Sequence, residues 1–228
     1  MKRTPCADFG PTAVGQNIYE ESSTAKYRVG ERLTLGDRVF KYCLNGAVAL
    51  VAGKLIQAQA INAYDEDVVV PTSSAAGENV VYGTNHASAS VKVAEQFAEG
   101  YIVIGSGAGA LGGMYKVKKN TAAAAGALIT FTLYDELVEA ITASTHTLCM
   151  VVYPYYKVVI DAGTGMLAGV PLIDVNIGKY FWSQVKGPAP VCSGGAITIE
   201  EDVLANGDGT VIVDDAVVVK PRVGISMQ

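Results

Sequence analysis

One glycine-rich string has the residue types and spacing of a nucleotide-binding turn. Gly107-Ala-Gly109-Ala-Leu-Gly112 matches G-x-G-x-x-G and follows an apolar, strand-like run. Such a turn binds pyrophosphate when it begins a helix, whose N-terminal amides meet the phosphates, and when an acidic residue about 20 positions on contacts the ribose. Here the string leads into Met114–Lys118, which has the pattern of a strand. We therefore predict a tightly turned or flexible connection, without a nucleotide cofactor.

The two histidines and the cysteines do not have the spacing of a metal site. His86 and His146 stand among small polar residues, and neither has a ligand partner two or four positions away. A zinc site needs three or four ligands. We predict loop or surface histidines, no metal, and reduced thiols at the four isolated cysteines: Cys6, Cys43, Cys149 and Cys192.

Acidic clusters are the remaining candidates for catalysis. Asp65-Glu66-Asp67 and Asp135-Glu136 could pair as glycosidase carboxylates. They recur at the same position of a repeated passage, however, and this favours a turn feature over a unique site. Calcium at these turns stays an open alternative, because carboxylate oxygens are its usual ligands. Because the sequence also lacks a G-x-S-x-G elbow, we do not expect an enzyme.

A passage that occurs three times in the chain predicts β-strands as the elements that position the candidate residues. Its three versions are 40–56, 115–129 and 181–197, and each opens with an aromatic run, crosses small residues and turns at a glycine. Each then continues as an apolar strand and ends near an acidic cluster. Repetition at intervals of about 66 to 75 residues indicates a β scaffold built from degenerate hairpins.

Further strand signals extend along most of the chain. Asn206-Gly-Asp-Gly209 predicts a hairpin turn, because these residues accept positive φ. For 134–143 a short helix competes with an irregular or strand conformation. The sequence therefore predicts an all-β sandwich or barrel assembly. The runs that predict strands are 32–35, 39–44, 55–61, 68–70, 80–82, 101–104, 148–153, 156–160, 210–213 and 216–219.

The first 28 residues differ from the rest of the chain. They are polar, contain two prolines and follow neither the helical nor the strand period. We predict an extended N-terminal arm over 1–28, either loose or ordered on a neighbouring subunit, and an all-β domain over 29–228. The pattern leaves open whether 29–228 is one domain or two sub-domains that meet near 100–112.

Composition limits the classes of partner. Of the 228 residues 50% are hydrophobic and 17% are charged, so a large core and a weakly charged surface are expected. The net charge of −5 and the scattered basic residues argue against nucleic acid as a partner. No window approaches 18 uninterrupted apolar residues, and no signal peptide is apparent, so we expect a soluble protein without a membrane partner.

Aromatic residues are the best candidates for an interface. Alternation along 179–185 would place Tyr180 and Trp182 on one face of a strand. Trp182 could be a core residue or an interface anchor, because tryptophan and tyrosine dominate binding hot spots. Tyr155 and Tyr156 form a second cluster with the same two interpretations. In the arm, Pro5, Phe9 and Pro11 are the interface candidates.

Two passages resemble proteins of tailed-phage particles. They are the aromatic-Gln-x-x-Gly-Pro-Ala string at 180–189, followed by Gly195-Ala-Ile, and the passage from Gly36 to Ile56. Both are similar to patterns in the small all-β proteins that coat or cement phage capsids, although this chain is about twice the usual length of the smallest ones. The resemblance implies a non-enzymatic structural role, homo-oligomers that are often trimers, and the major capsid protein as partner. It also implies synthesis in the host cytoplasm and a location on the capsid exterior.

The leading hypothesis is therefore a decoration or cement protein that bridges capsid subunits through contact area. The alternative is a β module of a head fibre or tail that binds glycans or a host surface through exposed aromatic rings. Binding to capsid shells and binding to glycans distinguish the two hypotheses.

Overall fold

A computed structural model describes residues 12–13, 15–106, 113–214 and 220–227. Within these ranges it contains one 3-10 turn, at Ala63–Asp65, and otherwise strands and irregular segments. The all-β fold predicted from the sequence is confirmed. The strands are β1 Thr12–Ala13, β2 Gln16–Asn17, β3 Arg32–Leu35, β4 Arg38–Leu44, β5 Ile56–Gln57, β6 Val68–Val69, β7 Val80–Thr84, β8 Tyr101–Ser106, β9 Met114–Asn120, β10 Leu128–Leu133, β11 Thr147–Val151, β12 Val159–Ile160, β13 Leu167–Pro171, β14 Tyr180–Lys186, β15 Asp202–Ala205, β16 Val211–Val213 and β17 Arg222–Ile225.

Backbone contacts divide the chain into two compact units. The first unit comprises the residues up to Ala60 and from Pro154 onward, and the second comprises Ile61–Tyr153. The second unit is thus inserted into the first between β5 and β12. The sub-domain boundary predicted near 100–112 falls inside the second unit, and 107–112 lie outside the described residues.

The first unit is built on a six-stranded antiparallel sheet that curls toward closure. Its strand order is β12-β5-β13-β14-β4-β3. The end of β4 also reaches the segment leading into β12, because Val158 N–H donates to Leu44 O at 3.0 Å and Asn45 forms a parallel bridge with Val158. The inner side chains form an apolar core that includes Cys43, Ile56 and Phe181.

A smaller sheet with the order β16-β15-β17 also belongs to the first unit. Between β15 and β16 the chain turns at 206–209, where Gly207 and Gly209 both have positive φ. Leu204 pairs with Ile212 on the two sides of this turn. The hairpin predicted from Asn206-Gly-Asp-Gly209 is therefore present.

The second unit is a nearly closed six-stranded barrel. Its order is β6-β11-β8-β9-β10-β7, and the two outer strands β6 and β7 contact each other. Gly83 of β7 lies so near Val68 of β6 that a Cβ there would be 3.1 Å from the valine Cγ1. The interior is filled by aromatic and branched residues such as Phe97, Phe131 and Ile129.

The segment 134–143 is irregular, so the helix alternative is not what the structure shows. Its backbone bonds reach across to 74–78 instead of along a helix: Leu137 N–H donates to Glu78 O, and Gly77 N–H donates to Leu137 O. Leu137 and Ile141 are both buried in the barrel core. Their spacing of four therefore reflects two inward positions of an irregular segment.

Candidate interface on the first unit

Trp182 lies in the core of the first unit. Its strand, β14, is hydrogen-bonded between β13 and β4, and its side chain is only 1% exposed. The indole N–H donates to Gln16 O at 3.2 Å, and the ring centroid lies 5.0 Å from that of Tyr42. Of the two interpretations of Trp182, core packing is the one the structure shows, and no exposed ring face is left for a partner.

The described part of the N-terminal arm covers this tryptophan. Ile18 is fully buried beside Phe40, Tyr42 and Trp182. The Gln16 amide donates to Tyr180 O at 2.9 Å and accepts a hydrogen bond from the Tyr42 hydroxyl at 2.5 Å. From Gly15 to Arg28 the arm packs on its own unit, where burial of Ile18 and the Gln16 bonds stabilise it.

A polar contact fixes the same segment at its outer edge. The Glu21 carboxylate accepts hydrogen bonds from the Asn176 backbone N–H and side-chain amide, at 2.7 and 2.8 Å. The side-chain hydrogen bond from Asn176 is the main cause that lowers the pKa of Glu21. The other predicted arm contacts, Pro5, Phe9 and Pro11, lie outside the described residues.

Tyr155, Tyr156 and Tyr180 remain partly exposed, but Tyr155 and Tyr180 pack on different core clusters of the first unit. The Tyr180 ring stacks on Tyr42 with the centroids 5.9 Å apart. Burial is the main cause that raises the pKa of Tyr156, and the neighbouring Tyr180 raises it further. Tyr155 packs against the core around Phe181. Tyr155 and Tyr180 thus pack on clusters at opposite faces of β14, while part of each ring stays accessible.

Two lysines border these rings. Lys41 Nζ lies 5.7 Å from the Tyr155 ring centroid, and Lys157 Nζ lies 5.5 Å from that of Tyr156. Cations at such distances are attracted to the faces of aromatic rings. We call Tyr155, Tyr156, Lys41 and Lys157 the tyrosine–lysine surface. It combines two partly buried aromatic rings with two neighbouring lysines.

Sequence reasoning missed a buried ion pair in the second unit. Lys92 Nζ lies 2.5 Å from Asp65 Oδ1, and both side chains are almost fully buried. Lys92 also pairs through its backbone with Ala123, so its position in the barrel is fixed. The sequence gives no signal for this, because an isolated lysine between two valines predicts an exposed lysine. Asp65, which the sequence predicts only as part of an acidic turn, is thus also the buried partner of Lys92.

The two histidines serve local structure. His86 is exposed, and its ring stacks on Tyr64 with the centroids 4.6 Å apart. His146 lies in the loop before β11, one of the two predicted settings, but its side chain is buried; its Nδ1 accepts the Thr142 N–H at 2.9 Å and closes a turn. The described cysteines Cys43, Cys149 and Cys192 are free thiols, and burial raises the pKa of Cys43.

The structure also bears on the glycine-rich string, on metal ligands and on membrane-spanning helices. The G-x-G-x-x-G residues lie outside the described ranges, but β8 before them and β9 after them pair as antiparallel strands, without a following helix. In the described part of the chain, no three His, Cys, Asp or Glu side chains are grouped so that they could hold a metal ion. No described helix is long and apolar enough to cross a membrane.

Comparison of the chain with family models, with curated proteins and with solved structures finds no match.

Proposed function

We propose that this chain is a non-enzymatic structural protein of a tailed-phage particle. It coats the capsid exterior as a homo-oligomer, binds the major capsid protein and bridges neighbouring capsid subunits. Support comes from the resemblance of the Gly36–Ile56 and 180–189 passages to phage coat proteins, and from the all-β fold. The observation that carries the proposal is the tyrosine–lysine surface, which contains two of the predicted interface residues, Tyr155 and Tyr156.

The tyrosine–lysine surface has two physical properties that favour a lasting protein contact. Tyr155 and Tyr156 each bury part of their ring against the first unit, so little side-chain entropy is lost when a partner covers the rest. Lys41 and Lys157 can remain at the rim, where charges stay in contact with water. A rigid surface of this kind suits a permanent contact better than a transient one.

Co-sedimentation with purified capsid shells tests the proposal. We expect the wild-type protein to pellet with shells at a fixed, saturable ratio. A variant with Tyr155→Ala and Tyr156→Ala should bind at least about tenfold more weakly, the cost of losing a modest hot spot. The matched control is Tyr64→Ala, which removes an exposed ring from the second unit and should bind like the wild type. Wild-type protein that stays in the supernatant at every shell concentration contradicts the proposal.

A second candidate function is glycan or host-surface binding, as in a head fibre or tail. The observation that favours it is the exposed Tyr64 ring, held flat by its stack on His86, because sugars pack on such aromatic platforms. Saturable binding on a glycan array that Tyr64→Ala abolishes would support this function. An array without saturable signal would contradict it.

A further inference from the structure

The second unit encloses a pair of side chains that can react with each other. Lys92 Nζ lies 2.5 Å from Asp65 Oδ1, and the two side chains are only 2% and 5% exposed. The Phe97 ring lies beside them, with its centroid 5.9 Å from Nζ. An amine and a carboxyl group are the two reactants of an amide bond, and bulk water scarcely reaches either of them here.

Backbone hydrogen bonds hold both residues in place. The N–H and C=O groups of Lys92 each bond to Ala123, both at 2.9 Å. Asp65 ends the 3-10 turn Ala63–Asp65, and its N–H donates to the backbone oxygen of the N-cap residue Asn62 at 2.8 Å. Reactants that a rigid structure keeps in contact reach effective concentrations of about 10⁵–10⁸ M. A condensation that is slow between free molecules is therefore accelerated in this barrel.

The separation of the two atoms lies between that of an ion pair and that of an amide. Hydrogen bonds from an ammonium to a carboxylate are about 2.7–2.9 Å long. In an amide, bond lengths of about 1.33 and 1.23 Å place the nitrogen and the oxygen about 2.2 Å apart. At 2.5 Å, Lys92 Nζ and Asp65 Oδ1 are thus closer than an ordinary ion pair requires.

We propose that Lys92 and Asp65 condense to an isopeptide bond in the folded protein, with the ion pair as the state before the reaction. Proton transfer from the ammonium to the carboxylate gives an amine and a carboxylic acid. Nζ then attacks Cγ of Asp65: a C–N bond forms, a C–O bond breaks, and the hydroxyl leaves as water with one proton from the nitrogen. No atom is oxidised or reduced, and exclusion of water disfavours the reverse hydrolysis.

The isopeptide bond would join the two edges of the barrel. Asp65 lies shortly before β6, Lys92 lies shortly after β7, and these two strands stand at the two ends of the strand order and contact each other. A link between Asp65 and Lys92 closes a loop that contains both strands. Covalent links of this kind stabilise a fold mainly by restricting the unfolded chain, in addition to any contribution of the charges themselves.

Mass spectrometry of the purified full chain tests the bond directly. We expect the denatured wild-type protein to be lighter than its sequence requires by one water molecule, and a protease digest to contain a branched peptide that joins Asp65 to Lys92. Lys92→Arg should have its full mass, because arginine keeps the positive charge but its guanidinium stays protonated and does not attack. Lys116→Arg is the matched control: it changes the more exposed ion pair with Glu99 and should still lack one water.

Wild-type protein with the full mass and no branched peptide would overturn this inference. So would a missing water that persists in Lys92→Arg, or a branched peptide that joins other residues. The mass is measured without capsid shells, so the inference is independent of the proposed function. Unlinked protein that binds shells contradicts the inference alone, whereas linked protein that ignores shells contradicts the proposed function alone.

Discussion

Trp182 packs on three sides against its own unit, where Tyr27, Tyr42 and Gln16 surround the indole. Replacing it by alanine should lower the free energy of unfolding by about 3–5 kcal/mol, the range for large aromatic side chains in cores. Denaturant unfolding measures the loss. Tyr156→Ala is the matched control and should cost much less, because that ring is only partly buried. An unchanged midpoint for Trp182→Ala would show that the indole is not a core residue.

Lys92 shows how a single buried charge is controlled by its partner. Lys92→Met leaves the Asp65 carboxylate buried without a counter-charge and should cost about 3–5 kcal/mol of unfolding free energy. Adding Asp65→Leu should recover most of that loss, because a well-packed apolar pair of similar size can replace a buried ion pair. Unfolding of both variants in denaturant measures the effect. If the double variant were as unstable as Lys92→Met, the lost stability would come from packing instead of from the orphaned charge.

Single residues also limit what the sequence can predict. The pattern Val91-Lys-Val93 indicates buried valines and an exposed lysine, whereas the structure has the opposite arrangement. Only the distant Asp65 makes the inward direction of Lys92 favourable, and no local pattern contains that information. Tyr155, Tyr156 and Tyr180 could be named from their residue type, but the approach of Tyr156 to Tyr180 depends on the pairing of β4 with β14 and with the segment before β12.

At the scale of secondary-structure elements, β13 is a strand that the sequence pattern does not predict. Its sequence, Leu-Ala-Gly-Val-Pro, contains two residues that argue against a strand inside a sheet. The structure explains the glycine, because a Cβ on Gly169 would lie 2.3 Å from Gln184 O of the paired strand. Long apolar runs such as β4, β8 and β11 were predictable, since each covers enough residues to show its period.

Gly169 should therefore be among the least replaceable positions of the first unit. Its φ of +107° is strained for other residues, and a methyl group would also press on β14. Gly169→Ala should cost about 2–5 kcal/mol. Gly178→Ala is the matched control: φ is +70°, nothing lies within 4 Å of the added Cβ, and the cost should be about 1–2 kcal/mol. Thermal or denaturant unfolding compares the two, and equal losses would exclude steric pressure on β14 as the cause.

For the whole molecule, all six strands of the second barrel come from one continuous stretch, Ile61–Tyr153. We expect a fragment spanning 61–153 to fold alone, with a β-type circular dichroism spectrum and cooperative unfolding. A fragment ending at 133 is the control and should not fold, because it lacks β11, which pairs with both β6 and β8. Unfolding of the 61–153 fragment without a cooperative transition would show that the barrel depends on the first unit.

Repetition in the sequence indicated the β scaffold but not this division of the chain. Two of the three repeated passages, 40–56 and 181–197, contribute strands to the first unit, and their strands β4 and β14 pair directly. The remaining passage, 115–129, lies in the second unit. Which copies pair depends on long-range contacts, and similarity between the copies does not reveal it.

The place where the second unit is inserted has a mechanical consequence. The chain leaves the first unit after β5 and returns at β12, and these two strands are bonded to each other, with Gln57 opposite Val159. Tension carried along the first unit can therefore pass from β5 to β12 through their hydrogen bonds. The inserted barrel would therefore be shielded from this tension. It would bear force only after the hydrogen bonds between β5 and β12 had broken.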